Sequence, residues 1–155
     1  MTNALDRVVA DLARHGIEGA VQELPADVPT AAAAAAHLGC EVGAIANSLI
    51  FDADGAPLLV LTSGAHRVDT KLVAGLVGAA KVRRADADFV YAATGQRIGG
   101  VAPVGHPAPV RTIVDAWLGK YDRVWAAGGL AHTVFPTTLE ELVRVTGGTV
   151  AEVGA

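Results

Sequence analysis

The sequence predicts an α/β domain built on a mixed sheet rather than an open doubly wound one. Three observations carry this. Short β-rich runs alternate with segments of helical periodicity; the runs join as hairpins more often than as strand–helix–strand units; and glycine and proline punctuate nearly every junction. The chain has 155 residues, 52% of them apolar and 18% charged, with a mean hydropathy of +0.40. That size fits a single domain over 1–155 with a real core, and the composition excludes a disordered chain. Its 31 alanines and 18 glycines against 5% aromatics predict small core side chains and close helix–sheet packing.

The elements follow in order. Asn3, with Asp6 three residues on, caps a helix carrying Leu5, Val8, Val9 and Leu12 and ending at Gly16. Val21–Leu24 is a short strand, and Pro25 and Pro29 bound a loop. Thr30 caps the alanine run 31–36, which Gly39 stops; alanine is the strongest helix former. Residues 45–51 and 58–62 are strands joined by Asp52-Ala-Asp-Gly55, a hairpin with a slightly long loop. Asp69 caps a helix over 71–77 that Gly78 ends; 81–84 is a basic strand; Asp86 opens a helix to about Ala93. Residues 110–114, 123–126 and 133–135 are strands. Thr138 and Glu141 form a capping box for a helix over 139–145, and 149–153 is a closing edge strand.

Between these elements lies the least regular stretch, 94–109, with four glycines and three prolines in sixteen residues. A loop this long in a small domain is uncommon and often functional. Glycine admits a ligand close to the main chain and proline holds that main chain still.

The common chemistries are absent. One cysteine, Cys40, excludes an intrachain disulfide and a cysteine-cluster zinc site, and reads as a small packed residue rather than a nucleophile. The five histidines, His15, His37, His66, His106 and His132, form neither HxH nor HExxH, so no metal is expected. Neither Ser48 nor Ser63 lies in GxSxG, and the glycine-rich stretch is neither a Walker loop nor GxGxxG, so no cofactor is expected. No apolar run reaches transmembrane length and no leader is visible, which predicts a cytoplasmic protein without a membrane partner.

Charge is uneven. The net charge is −4, yet residues 67–111 hold seven basic and three acidic side chains, leaving the rest at −8. A basic middle in an acidic chain reads either as a phosphate-facing surface or as ordinary solvated faces.

From about residue 20 to 153 the chain resembles the YbaK/ProX group, free-standing relatives of the editing domain of bacterial prolyl-tRNA synthetases. The resemblance rests on ordered segments: Ile45–Phe51, Val68–Leu72, Thr94-Gly95, Gly99–Pro103 with Gly105, Thr112–Asp115, Ala127-Gly-Gly129 and Leu139–Leu142. It implies a mixed, barrel-like sheet with surrounding helices. It also implies a trans-acting hydrolase that cleaves the ester of mischarged aminoacyl-tRNA, with a small noncognate amino acid and tRNA-Pro as the substrate class, and a synthetase as a further partner.

By position, the resemblance puts Gly99 and Gly100 at the reacting ester. Thr94, Gly95, Asn47, Ser48, Pro103, Gly128 and Gly129 would line the substrate pocket. Backbone groups there would orient water and hold charge developing on the carbonyl oxygen. His132 and His106 stand in glycine-flanked turns beside that pocket, His132 as a candidate for the chemistry and His106 for binding. The family's usual lysine is Asn47 in this chain, so Arg67, Lys71 or Arg97 is expected to supply charge for tRNA phosphate. Asn47 also supports a second expectation, a noncatalytic module of the same fold that binds tRNA or a synthetase.

Overall fold

The computed structural model describes residues 3–17, 21–25 and 30–155. Pro29 and the first two residues therefore lie outside the described residues. Helix α1 (Ala4–Arg14) is capped as expected: Asn3 accepts from the Asp6 amide at 2.8 Å and Asp6 answers the Asn3 amide. Helix α2 (Ala31–Leu38) starts on the Thr30 hydroxyl and ends at left-handed Gly39. Asp69 opens α3 (Thr70–Val77) and Asp86 opens α4 (Ala87–Thr94), each accepting from amides of the first turn. At α5 (Leu139–Thr146) the Thr138 hydroxyl accepts from the Glu141 amide, but the Glu141 carboxylate takes the Thr137 hydroxyl instead of closing the box. Two 3-10 turns, 42–44 and 116–120, have no strong pattern in the sequence.

The strands are β1 (Gln22–Glu23), β2 (Ile45–Ala53), β3 (Ala56–Ser63), β4 (Val82–Arg84), β5 (Arg111–Asp115), β6 (Val124–Ala127), β7 (Thr133–Thr137) and β8 (Thr149–Ala151). They form one mixed sheet in the order β1-β7-β6-β2-β3-β5-β8, with β4 also on β2. The β2–β3 and β6–β7 pairs are antiparallel, whereas β2–β6, β3–β5 and β5–β8 are parallel. No ladder among the described residues joins β1 to β8, so the sheet is not closed into a barrel. The β2–β3 loop is shorter than the sequence suggests. Ala53 pairs with Ala56, leaving Asp54 and Gly55 as a two-residue turn with φ of 52° and 92°. Asp54 tolerates that backbone because its carboxylate accepts from the Ala80 and Lys81 amides.

Strand β3 is the centre of the core. Leu59 and Leu61 face one cluster with Val8, Val114 and Phe135; Leu58 and Val60 face another with Phe51 and Val73. All four are at most 1% exposed, as expected for a strand covered on both faces. A third cluster packs α2 through Ala34 and Ala35 onto Ile45, Trp125 and Val134.

The topology leaves one opening. β3 pairs along β2 from residue 46 to residue 53 on one edge. The other edge is shared: β6 takes Ile45 and Ala46, and β4 takes Phe51 to Ala53. Between them, residues 47–50 of β2 have no strand partner on that side among the described residues.

Candidate functional site

A cavity of about 800 Å³ lies at this unpaired stretch of β2. Its floor is β2 itself, with Asn47 and Ser48. Ala31 and Ala34 of α2 form one wall with Trp125 and Val134; Ile98, Gly99 and Val101 form another; Ala131, His132 and Thr133 complete the rim. Apolar walls of small residues explain the room. Alanine leaves space where a longer side chain would fill it.

Thr30, Asn47, Ser48, Arg84, His132 and Thr133 are the polar residues among its described lining. The Ser48 Oγ is buried and has no hydrogen-bond partner among the described residues. Unsatisfied buried polar atoms are rare and ask for an explanation. His132 lies on the rim in a left-handed conformation, φ 63°, one of two such non-glycine residues described. Its carbonyl accepts from the Leu24 amide, which ties the short strand β1 to the rim. Arg84, on β4, is the only arginine, lysine, aspartate or glutamate among the described lining residues.

The loop between α4 and β5 is held by a residue that sequence reasoning passed over. Gln96 is 1% exposed. Its Oε1 accepts from the Ala102 amide at 2.7 Å and its Nε2 donates to the Val104 carbonyl at 2.9 Å. A glutamine among glycines and prolines carries no periodicity signal, so only the fold exposes this role. From outside, α1 braces the same loop. Arg7 donates to the Gly95 carbonyl at 3.0 Å, and Asp11 accepts from the Gly105 amide at 2.9 Å. The Val8 side chain packs against both Gly105 and Gly129, leaving no room for a Cβ at either.

Of the residues singled out from sequence, the cavity gathers Asn47, Ser48, Gly99 and His132. Gly100 is buried and lies directly on the 130–131 backbone, where an added Cβ would come within 2.5 Å of the Leu130 carbonyl carbon. Thr94 is fully buried; its hydroxyl donates to the Val90 carbonyl at 2.7 Å and accepts from the Gln96 amide at 3.0 Å. Gly95 ends α4 and faces Arg7 and Pro107. Gly128 and Gly129 lie behind the rim, against Thr133 and Val8, while their neighbours Ala127 and Ala131 face the cavity.

Pro103 and His106 stand on the far side of the loop. They line a separate cavity of about 270 Å³ with Asp11, Arg14 and Thr112. His106 Nε2 is 2.8 Å from the Ala102 carbonyl. Burial pushes its pKa below the ordinary histidine value, against the opposing pull of that bond and of Asp11. Arg67 and Lys71 do not line the main cavity. Arg67 meets the C-terminal residues through its backbone, and Lys71 is in the first turn of α3. Arg97 adjoins Ile98, with its guanidinium 5.1 Å from the centre of the Tyr91 ring.

The remaining nucleophile and metal candidates have structural surroundings. Burial pushes the Cys40 thiol above its ordinary pKa, which keeps it protonated at neutral pH. Ser63 donates to the Gly43 carbonyl, and His66 Nδ1 lies 2.9 Å from buried Asp115 at the far end of β3. Among the described residues no three His, Cys, Asp or Glu side chains gather to hold a metal. No described helix is long and apolar enough to cross a membrane.

The chain is similar to known proteins in sequence and in fold. A family model for the aminoacyl-tRNA editing domain matches residues 25–145. The uncharacterized protein YwhH of Bacillus subtilis (strain 168) is 29% identical over 126 residues, covering 81% of this chain and 80% of YwhH. A proline–tRNA ligase of Nitratidesulfovibrio vulgaris (strain Hildenborough) is 32% identical over 108 residues, 66% of this chain but 19% of the ligase. A solved structure of a candidate trans-editing enzyme for prolyl tRNA synthetase superposes with a TM-score of 0.91 at 39% identity, covering 100% of this chain and 99% of that one. A protein from work on computational epitope grafting onto scaffolds superposes with a TM-score of 0.93 at 38% identity, with the same coverage.

Proposed function

The chain belongs to the aminoacyl-tRNA editing domain family, and on that premise we propose that it is a trans-acting deacylase that hydrolyses the ester of tRNA mischarged with a small noncognate amino acid, tRNA-Pro being the first candidate. The observation that supports the proposal is a cavity at the edge of β2 between β6 and β4, lined by Asn47, Ser48, Gly99 and His132. Backbone groups along that strand edge are hydrogen-bonding groups that an ester and its amino group can satisfy.

In this reading the amino-acid side chain enters beside the apolar Ala31, Ala34 and Trp125. Gly99 admits the ester close to the main chain, and nearby backbone amides hold charge developing on the carbonyl oxygen. Water adds to the carbonyl carbon; the ester C–O bond breaks; the water's proton ends on the departing ribose oxygen. The products are the free amino acid and uncharged tRNA. An aminoacyl ester is already activated, so positioning supplies most of the rate without a side-chain nucleophile. In this reading His132, which lines the cavity, orients that water. Arg84 takes over the phosphate-side charge that Asn47 cannot carry.

Asn47 also favours a second reading, a binding module that holds the tRNA end without cleaving it. A single-turnover assay with excess protein separates the two. Charging tRNA with alanine, cysteine, serine, threonine and proline, then following ester loss, is expected to show fast release of one small noncognate amino acid. Protection of every ester by the wild-type protein, with hydrolysis appearing in Asn47→Lys, would instead establish the binding module.

A further inference from the structure

Exposed apolar side chains that neither the fold nor the ester chemistry uses lie on segments adjoining the cavity lining. Ile98 is 60% exposed, Tyr91 51% and Leu130 40%. They belong together. Ile98 lines the cavity, Arg97 beside it lies over the Tyr91 ring, and Gly100 packs directly on Leu130. Val90, the neighbour of Tyr91 on α4, also faces the cavity. Large apolar groups clustered at a cavity mouth mark an interaction surface.

Resting on the deacylase reading for the identity of the ligand, we propose that Tyr91, Arg97 and Ile98 form a stacking platform for the unpaired bases at the 3′ end of the acceptor arm. Charge selects this occupant. Arg84 lines the cavity and Arg97 flanks it, both within the basic window of an otherwise acidic chain. A polynucleotide offers flat π-faces to an aromatic ring and a guanidinium plane, and phosphates to the same arginines. An apolar protein surface would match the isoleucine and leucine but offer the two arginines no counter-charge. Stacking ignores base identity, so the platform grips the end of any tRNA and leaves selection to the amino-acid cavity.

The test is direct binding of an uncharged RNA hairpin with a 3′ overhang, and of the same hairpin with abasic overhang positions. Tyr91→Ala is expected to weaken binding of the intact overhang about tenfold, and Tyr91→Phe to restore it. Abasic RNA should bind wild type and Tyr91→Ala alike. Arg97→Gln should lower the salt slope by about one. Equal binding of intact and abasic RNA by the wild type, or no effect of Tyr91→Ala on the intact RNA, overturns the platform. Absence of ester hydrolysis with overhang-dependent binding intact overturns the deacylase reading and leaves the platform standing.

Discussion

The Asp11 carboxylate accepts the Gly105 amide at 2.9 Å, across 94 residues of sequence. Asp11 belongs to a helix outside the segment 25–145 that the family model matches, and Gly105 belongs to the loop that walls the cavity. The N-terminal helix is therefore a brace for that loop. Replacing Asp11 with alanine leaves a buried amide without its acceptor, a cost of about 1–3 kcal/mol. Asp11→Asn keeps an oxygen in place and should lose less. Urea denaturation of the two variants checks the order; equal stability of Asp11→Ala and wild type would show that the bond contributes nothing.

Gly99 and Gly100 are adjacent but respond to substitution for different reasons. Gly99 has φ +96° and open space around it, so Gly99→Ala strains only its own backbone, by about 1–2 kcal/mol. At Gly100 the added Cβ meets the 130–131 backbone at 2.5–2.6 Å. Gly100→Ala must push the loop away from the rim that carries His132. We expect Gly100→Ala to lower stability more than Gly99→Ala does, and to lower turnover as well. Thermal melts and deacylation rates compared side by side decide it, and the reverse order of stability would count against this packing.

Ser48 should separate folding from function. Its hydroxyl has no partner among the described residues, so Ser48→Ala forfeits no hydrogen bond within them. The variant is expected to melt at or above the wild-type temperature while its ester hydrolysis falls about tenfold, the equivalent of one hydrogen bond of about 1.4 kcal/mol. Unchanged hydrolysis would remove Ser48 from the substrate contacts.

His106 predicts a pH dependence. Its pKa in the folded protein is depressed below the ordinary value of 6.5. The neutral form is therefore favoured by folding, and the unfolded chain binds the proton more readily. This contribution is complete above about pH 6.5 and is lost as pH falls from there toward the folded pKa. His106→Gln, which cannot titrate, should show a flatter loss of stability between neutral and mildly acidic pH. Parallel stability curves for the two proteins would exclude His106 as the source.

Ends of elements were legible because their causes are local. Asn3, Thr30, Asp69, Asp86 and Thr138 each bond amides of the turn that follows, and Gly39, Gly78, Gly95 and Gly147 each close a helix in the left-handed region. The site was only partly legible. A glycine- and proline-rich stretch advertises a loop, but sequence order does not say which side of the loop faces the cavity. Gly99 turned toward it; Pro103 and His106 turned toward α1; Gly100 became the spacer between two backbones. Gln96 and Arg84 carried no motif at all.

Periodicity, capping chemistry and turn residues thus set the elements and their order, since each acts within a few residues of the chain. Packing alone decided that β6 and β4 divide one edge of β2 and leave residues 47–50 open between them. Strand pairing across tens of residues depends on which apolar faces find each other, and that competition has no local signature. The cavity and the one arginine in its described lining are consequences of that division of one strand edge.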